Sequence, residues 1–271
     1  MKKITIKTLA DKKQRREKIV SITAYDYTFA RILDQGDVDM ILVGDSASNV
    51  CAGYQTTLPI TLDEMIYHSR SVRRGVQRAL LLADLPFLSY QASVEQAVLS
   101  AGRLMKEAEV EGVKLEGGEI MADTIYRLAH IGIPVMAHIG LTPQAQHQLG
   151  GRLVQGKDEK EAKRLKEEAK ILEEAGAFAL LLELIPTKLA KEITDSINIP
   201  TIGIGAGPHC DGQILVCYDL LGMDKDFNPK YLRKYAELHD TISQAVQDYS
   251  MDVRKADYPG DSESYTSYSN K

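Results

Sequence analysis

MILVGDSASN, residues 40–49, runs Ile41, Leu42 and Val43 into a glycine and then at once into an acid and a hydroxyl, Asp45 and Ser46. Three β-favouring apolar residues predict a short buried strand, and a buried strand that ends on a carboxylate needs a reason. Taken alone, the Asp-Ser pair serves equally well as the cap of a following helix. Other strands that end the same way separate the two readings.

Apolar runs of the same kind recur at residues 19–26, 80–86, 112–118, 134–140, 178–184, 200–206 and 214–219, and helical segments fall between most of them. Short strands alternating with longer amphipathic segments predict parallel βα units, and eight of them predict one closed (β/α)8 TIM barrel. The helical pattern is clearest in KDEKEAKRLKEEAKILEEAGA, residues 157–177. There Ala162, Leu165, Ala169, Leu172 and Ala175 share a face, and Gly176 offers a stop. Residues 141–158 break the rhythm, being too rich in Gly, Gln and Pro for a regular helix and too long for a tight turn. They read as a lid or substrate loop. The basic N-terminal residues read as a solvated helical extension, and the Ser- and Gly-rich stretch from about residue 259 as a flexible tail.

Composition bounds the function. The 271 residues are 44% hydrophobic and 26% charged with a formal net charge of -5, an ordinary profile for a single soluble domain. Scattered basic residues outnumbered by acids argue against nucleic acid as a partner. No run of 18 apolar residues predicts a membrane span. Cys51, Cys210 and Cys217 form no CxxC pair and are odd in number, which fits a reducing compartment, with the cytoplasm as the expectation.

In a barrel, the strand C-termini converge on one face. Asp45 ends the second strand, Asp84 sits late in the third, Glu116 late in the fourth with Lys114 two residues before it, and Glu183 late in the sixth. One such acid is readily a cap or a salt-bridged structural group. Four on four strands would repel one another if buried without a cation, which predicts a divalent metal. Carboxylate oxygens without paired cysteines favour Mg2+ over zinc. His138, late in the fifth strand, reads as a hydrogen-bonded structural residue outside the catalytic set. Glu183 lies in AFALLLELIP, where apolar neighbours would raise its pKa and suit it to general-base work. Gly203, Gly205 and Gly207 are spaced GxGxG rather than GxGxxG and read as a strand-to-loop turn rather than a dinucleotide site.

Taken together, ITAYDY (residues 22–27), LVGDS (42–46), TTLPIT (56–61), LLADLPF (81–87), VKLEGG (113–118), HIGLTPQ (138–144) and the IGIGAG and CDGQILV segments within 202–216 resemble the ketopantoate hydroxymethyltransferase family. The resemblance runs in order from about residue 19 to residue 223. It implies a Mg2+-dependent barrel that transfers a hydroxymethyl group from the co-substrate 5,10-methylenetetrahydrofolate to 3-methyl-2-oxobutanoate, giving 2-dehydropantoate for pantothenate and coenzyme A synthesis. It also implies that Asp45, Asp84 and Glu116 hold the metal, that Asp45, Ser46, Asp84 and Lys114 hold the oxo acid, and that Glu183 accepts the proton. A cytoplasmic homo-oligomer, usually a decamer, is implied as well.

The sequence departs from the family pattern at three places. Ser48 stands where GDSLG or GDSVG has its last glycine, Leu153 stands where a basic residue is common in the GG.KVQG loop, and an EHSF-like ending is missing. Two other functions compete with the one implied. A Mg2+-dependent lyase of the phosphoenolpyruvate mutase and isocitrate lyase type would bring a KKCGH-like loop, which this sequence lacks. A non-catalytic oxo-acid-binding barrel would have no use for Glu183.

Overall fold

The computed structural model describes residues 2–265. The chain forms two compact units, one through Cys217 and one from Tyr218 onward. The first contains α1 (Ile6–Arg15), β1 (Ile19–Thr23), α2 (Tyr27–Gln35), β2 (Met40–Val43), α3 (Ala47–Val50), α4 (Leu62–Gly75), β3 (Leu80–Asp84), α5 (Val94–Ala108), β4 (Val113–Glu116), α6 (Ala122–His130), β5 (Val135–Gly140), α7 (Gln146–Leu149), α8 (Glu159–Glu174), β6 (Ala179–Glu183), α9 (Thr187–Ser196), β7 (Thr201–Ile204) and β8 (Gly212–Leu215). Helix α10 (Cys217–Leu220) begins at the boundary, and α11 (Leu238–Lys255) belongs to the second unit. Part of the expected flexible tail, residues 266–271, lies outside the described residues.

The eight strands are all parallel and close in chain order, with β8 pairing back onto β1. This is the (β/α)8 barrel that the strand rhythm predicts. The last strand differs from expectation. It spans Gly212–Leu215 rather than residues 214–219, because Gly212 and Gln213 pair with both β1 and β7. The strand then ends where the Cys217 N–H donates to Thr23 Oγ1 at 3.0 Å and α10 begins. No helix separates β7 from β8, so the glycines at 203, 205 and 207 lead into a loop without a helix N-terminus to receive a pyrophosphate.

The inward rows explain both core and site. Met40 and Leu42, Leu80 and Leu82, Met136, Ala179 and Leu181, Ile202 and Ile214 form the apolar filling together with Ile4 and Leu9 from the N-terminal segment. Leu9, fully buried, is the one residue of α1 with no exposure to solvent. Lys12 and Lys13 of α1 pair with Asp39 at 2.6 Å and Asp211 at 2.7 Å, fixing the helix beneath the barrel. Continuing each inward row by two residues reaches Asp84, His138 and Glu183. The alternation that fills the barrel with leucine therefore also lifts the polar groups to its upper rim.

Outside the sheet, α8 buries Leu165, Ala169 and Leu172 as its pattern predicts. Asp158 caps its first turn by accepting from the Glu161 N–H at 2.8 Å. Asp34, near the end of α2, accepts the backbone N–H groups of Gln77, Arg78 and Ala79 at 2.8, 3.0 and 2.7 Å, so one buried carboxylate organises the entry to β3.

Candidate active site

The strand register sets the site before any side chain is placed. Asp84 faces Lys114 across β3 and β4, Glu116 faces His138 across β4 and β5, and Glu183 follows on β6 opposite Gly140. Neighbouring inward residues on parallel strands meet, and a connected row of charges results. Lys114 Nζ lies 3.0 Å from Asp84 Oδ1 and 3.9 Å from Glu116 Oε1. His138 Nδ1 lies 3.5 Å from Glu116 Oε1, and its Nε2 lies 3.4 Å from Glu183 Oε2.

Asp45 joins this row from the β2 loop. Its N–H donates to Asp84 Oδ2 at 2.9 Å, and its own Oδ2 accepts from Gln144 Nε2 at 2.9 Å. Gln144 also donates its backbone N–H to Glu116 Oε2 at 2.9 Å and its side chain to the Leu85 carbonyl oxygen at 3.0 Å. The Tyr90 hydroxyl donates to Gln144 Oε1 at 2.7 Å. One glutamine thus connects two of the acids to the start of the loop that follows β5.

Gly44 makes the β2 turn possible. A Cβ at this position would lie 2.6 Å from Ser46 Oγ, so any larger residue would displace the hydroxyl. Ser46 Oγ stands 2.8 Å from the Tyr25 hydroxyl, which in turn accepts from Thr23 Oγ1 at 2.8 Å.

Burial and crowding decide the charges. Burial pushes Asp45 well above the ordinary carboxylate range, and the negative charges of Asp84 and Glu116 add to the rise. Burial also raises Asp84, although Lys114 and the Asp45 N–H work against it. Burial acts upward on Glu116 too, but His138 and Lys114 outweigh it and leave this acid below its usual value. Lys114 loses solvation yet is held protonated above its usual range by Asp84, Glu116 and Asp45. Burial and the Lys114 charge act downward on His138, but Glu116 and Glu183 prevail and raise it to about 9.

The imidazolium should therefore stabilise the fold in a pH-dependent way. Its folded pKa exceeds the unfolded value of about 6.5, so the contribution is complete below that pH and is lost as pH rises through about 9. Urea unfolding without divalent cation should show the native protein losing on the order of 3 kcal/mol relative to His138→Gln across this window. A constant difference between the two proteins from pH 6 to pH 10 would contradict the assignment.

The sequence-predicted residues Asp45, Ser46, Asp84, Lys114, Glu116 and Glu183 all line this rim. His138, read from the sequence as a hydrogen-bonded structural residue, turns its two ring nitrogens toward two carboxylates. One expectation needs revision. Glu183 does not sit in a wholly apolar pocket, because its side chain is 17% exposed and its carboxylate faces His138. Sequence reasoning missed Gln144 and Tyr25 as site residues, although both lie inside quoted motifs. What singles them out is a long-range contact that no local pattern carries.

The departures at positions 48 and 153 are accommodated. Ser48 is buried within α3, where no left-handed backbone is required, and its Oγ donates to the Thr56 carbonyl oxygen at 2.8 Å. Ser48→Ala should cost about 1 kcal/mol through that hydrogen bond, read as a lowered urea midpoint. An unchanged midpoint would show the bond to contribute nothing. Leu153 is 54% exposed on the loop.

Among the described residues, no three His, Cys, Asp or Glu side chains converge into a ready-made metal cage. Mg2+ does not need one, since it usually takes one or two protein carboxylates and keeps waters or substrate oxygens for its other positions. Asp84 Oδ1 is buried, and its neighbour is the Lys114 ammonium at 3.0 Å. Three clustered acids facing one lysine and one histidine are a donor set of the hard-oxygen kind that suits this cation.

A closed parallel barrel with a buried row of acids, a lysine and a histidine at its C-terminal rim defines a (β/α)8 enzyme acting on a small anionic substrate. Residues 3–261 match the family described as Ketopantoate hydroxymethyltransferase. The 3-methyl-2-oxobutanoate hydroxymethyltransferase of Chlorobaculum tepidum is 55% identical over 266 residues, 97% of this chain and 96% of that protein. The protein of the same name from Geobacter metallireducens is 51% identical, covering 98% and 99% of the two chains. The chain belongs to the ketopantoate hydroxymethyltransferase family. Among solved structures, phosphonopyruvate hydrolase complexed with oxalate and Mg2+ superposes with a TM-score of 0.63 at 12% identity, covering 96% of this chain and 93% of its own. A 2,3-dimethylmalate lyase superposes with a TM-score of 0.58 at 15% identity, covering 96% and 91%. These two share the fold.

Proposed function

We propose that the chain converts 3-methyl-2-oxobutanoate to 2-dehydropantoate by transfer of a hydroxymethyl group from 5,10-methylenetetrahydrofolate, with Glu183 taking the proton from C3. The observation that carries the assignment of roles is the contrast among the acids. The side chains of Asp84 and Glu116 are only 3% exposed and engaged with Lys114, whereas that of Glu183 is 17% exposed and backed by His138. A proton acceptor must reach its substrate, and Glu183 is the acid placed to do so.

Asp45, Asp84 and Glu116 would hold Mg2+. The cation, when bound, supplies Lewis-acid stabilisation of the negative charge that develops on the oxo acid's oxygens. Lys114 balances the substrate carboxylate, and Ser46 hydrogen-bonds the same ligand. Proton removal by Glu183 leaves C3 nucleophilic, and C3 forms its new bond to the one-carbon unit while both C–N bonds to the folate break, water supplies the hydroxyl, and tetrahydrofolate leaves with the C3 proton and one water proton on its two nitrogens. His138 Nε2, 3.4 Å from Glu183 Oε2, faces the carboxylate and orients it.

The proposed state is a homo-oligomer, and the family resemblance makes a decamer the expected number. No residue of α11 is buried in its own chain, yet Ile242, Val246, Tyr249 and Val253 recur along it at helical spacing. No helix among the described residues is long and apolar enough to cross a membrane, and the cytoplasm is the proposed compartment.

An NMR time course in D2O with 3-methyl-2-oxobutanoate, Mg2+ and 5,10-methylenetetrahydrofolate tests the reaction. A metal-dependent hydroxymethyl signal is the expected outcome. A folded, metal-loaded sample showing neither that signal nor loss of the C3 proton would refute it.

A further inference from the structure

A file of hydroxyl groups leads from the wall of the barrel to the proposed oxo-acid pocket. The Cys217 N–H donates to Thr23 Oγ1 at 3.0 Å, Thr23 Oγ1 donates to the Tyr25 hydroxyl at 2.8 Å, and the Tyr25 hydroxyl lies 2.8 Å from Ser46 Oγ. Each hydroxyl has one proton to give. A backbone N–H can only donate, so the first link fixes Thr23 as acceptor there and leaves its proton for Tyr25. The polarity set by one amide is thereby handed to the Tyr25 hydroxyl, which accepts from Thr23 and keeps its own proton to give.

We infer that Tyr25 is a positioning residue whose hydroxyl donates to Ser46 Oγ and so commits the Ser46 proton to the oxo acid. The inference rests on the reading that Ser46 holds that substrate. Its physical content is the sign of a dipole. A 2-oxo acid offers only acceptor oxygens, so a serine presenting a lone pair would repel it, whereas one presenting its proton makes a charge-assisted hydrogen bond.

The surroundings support a fixed orientation. The Tyr25 side chain is almost wholly buried, and burial holds its phenol protonated far above neutral pH. His68 Nδ1 donates to the Tyr25 carbonyl oxygen at 2.8 Å and anchors the backbone. The Ser46 side is fixed by Gly44, which leaves the hydroxyl its space.

The test is equilibrium binding of 3-methyl-2-oxobutanoate, with Mg2+ present, to the native enzyme and to Tyr25→Phe, Ser46→Ala and the double variant, alongside kcat and KM. Tyr25→Phe keeps the buried ring and loses only the hydroxyl. It should weaken oxo-acid binding about tenfold and raise KM by a similar factor, with a smaller change in kcat. In the Ser46→Ala background, the same substitution should have no further effect on binding. A merely structural role for Tyr25 predicts instead that its effect persists without Ser46, and that result would overturn the inference. Unchanged binding in Tyr25→Phe while Ser46→Ala binds weakly would overturn it too, leaving Ser46's own role intact. Unchanged binding in Ser46→Ala would remove both. Should Tyr25→Phe fail to fold, Thr23→Val tests the same file. Its loss of affinity must likewise vanish in the Ser46→Ala background.

Discussion

Glu183→Gln should lose roughly 10²–10⁴-fold in turnover while keeping its affinity for the oxo acid and for Mg2+ largely intact. The amide matches the carboxylate in size and still faces His138, but it cannot accept the C3 proton. The loss should therefore fall on kcat, because the missing interaction belongs to the transition state. Exchange of the C3 proton into D2O without the folate isolates the same step and should fall in parallel. An active Gln variant would remove Glu183 from its role. A variant that loses substrate binding and turnover together would make it a binding residue instead.

Lys114→Met should destabilise the protein by roughly 3–5 kcal/mol, because it leaves buried carboxylates without their ammonium partner. Lys114 stands between Asp84 at 3.0 Å and Glu116 at 3.9 Å, with its side chain only 5% exposed. Methionine fills a similar volume, so packing changes little and the effect reports charge. Urea unfolding measures the stability loss. Added Mg2+ should recover part of it, since a cation bound to the native state alone stabilises that state. The oxo acid should also bind more weakly in the variant, having lost the charge opposite its carboxylate. A variant as stable as the native chain would mean that the acids are already neutral, and the case for a metal among them would fail.

Much of this was legible in the sequence because the barrel writes both its core and its site in one alternation. Leu80, Leu82 and Asp84 form a single inward row, and so do Met136 and His138, so strand recognition alone brings the acids to one rim. Strand ends were harder. The sequence extends the eighth strand to residue 219 because ILVCYD begins apolar, but the Thr23 hydroxyl, distant in sequence, receives the Cys217 N–H and stops it. Side-chain partners were hardest. Ile, Leu and Pro around Glu183 suggest a dry pocket, yet His138 from the next strand faces its carboxylate. Gln144 gives no local sign of reaching Asp45, a residue 99 positions away. Such contacts come from closure of the sheet, and single-sequence patterns stop short of them.

The helix beneath the barrel has a consequence for traffic. With Leu9 driven into the apolar filling and Lys12 and Lys13 tied to Asp39 and Asp211, α1 stoppers the lower end of the barrel among the described residues. In the proposed reaction, substrate, folate and the proton taken from C3 would then share the upper mouth, and the deepest groups would be the first sealed off by whatever arrives above them.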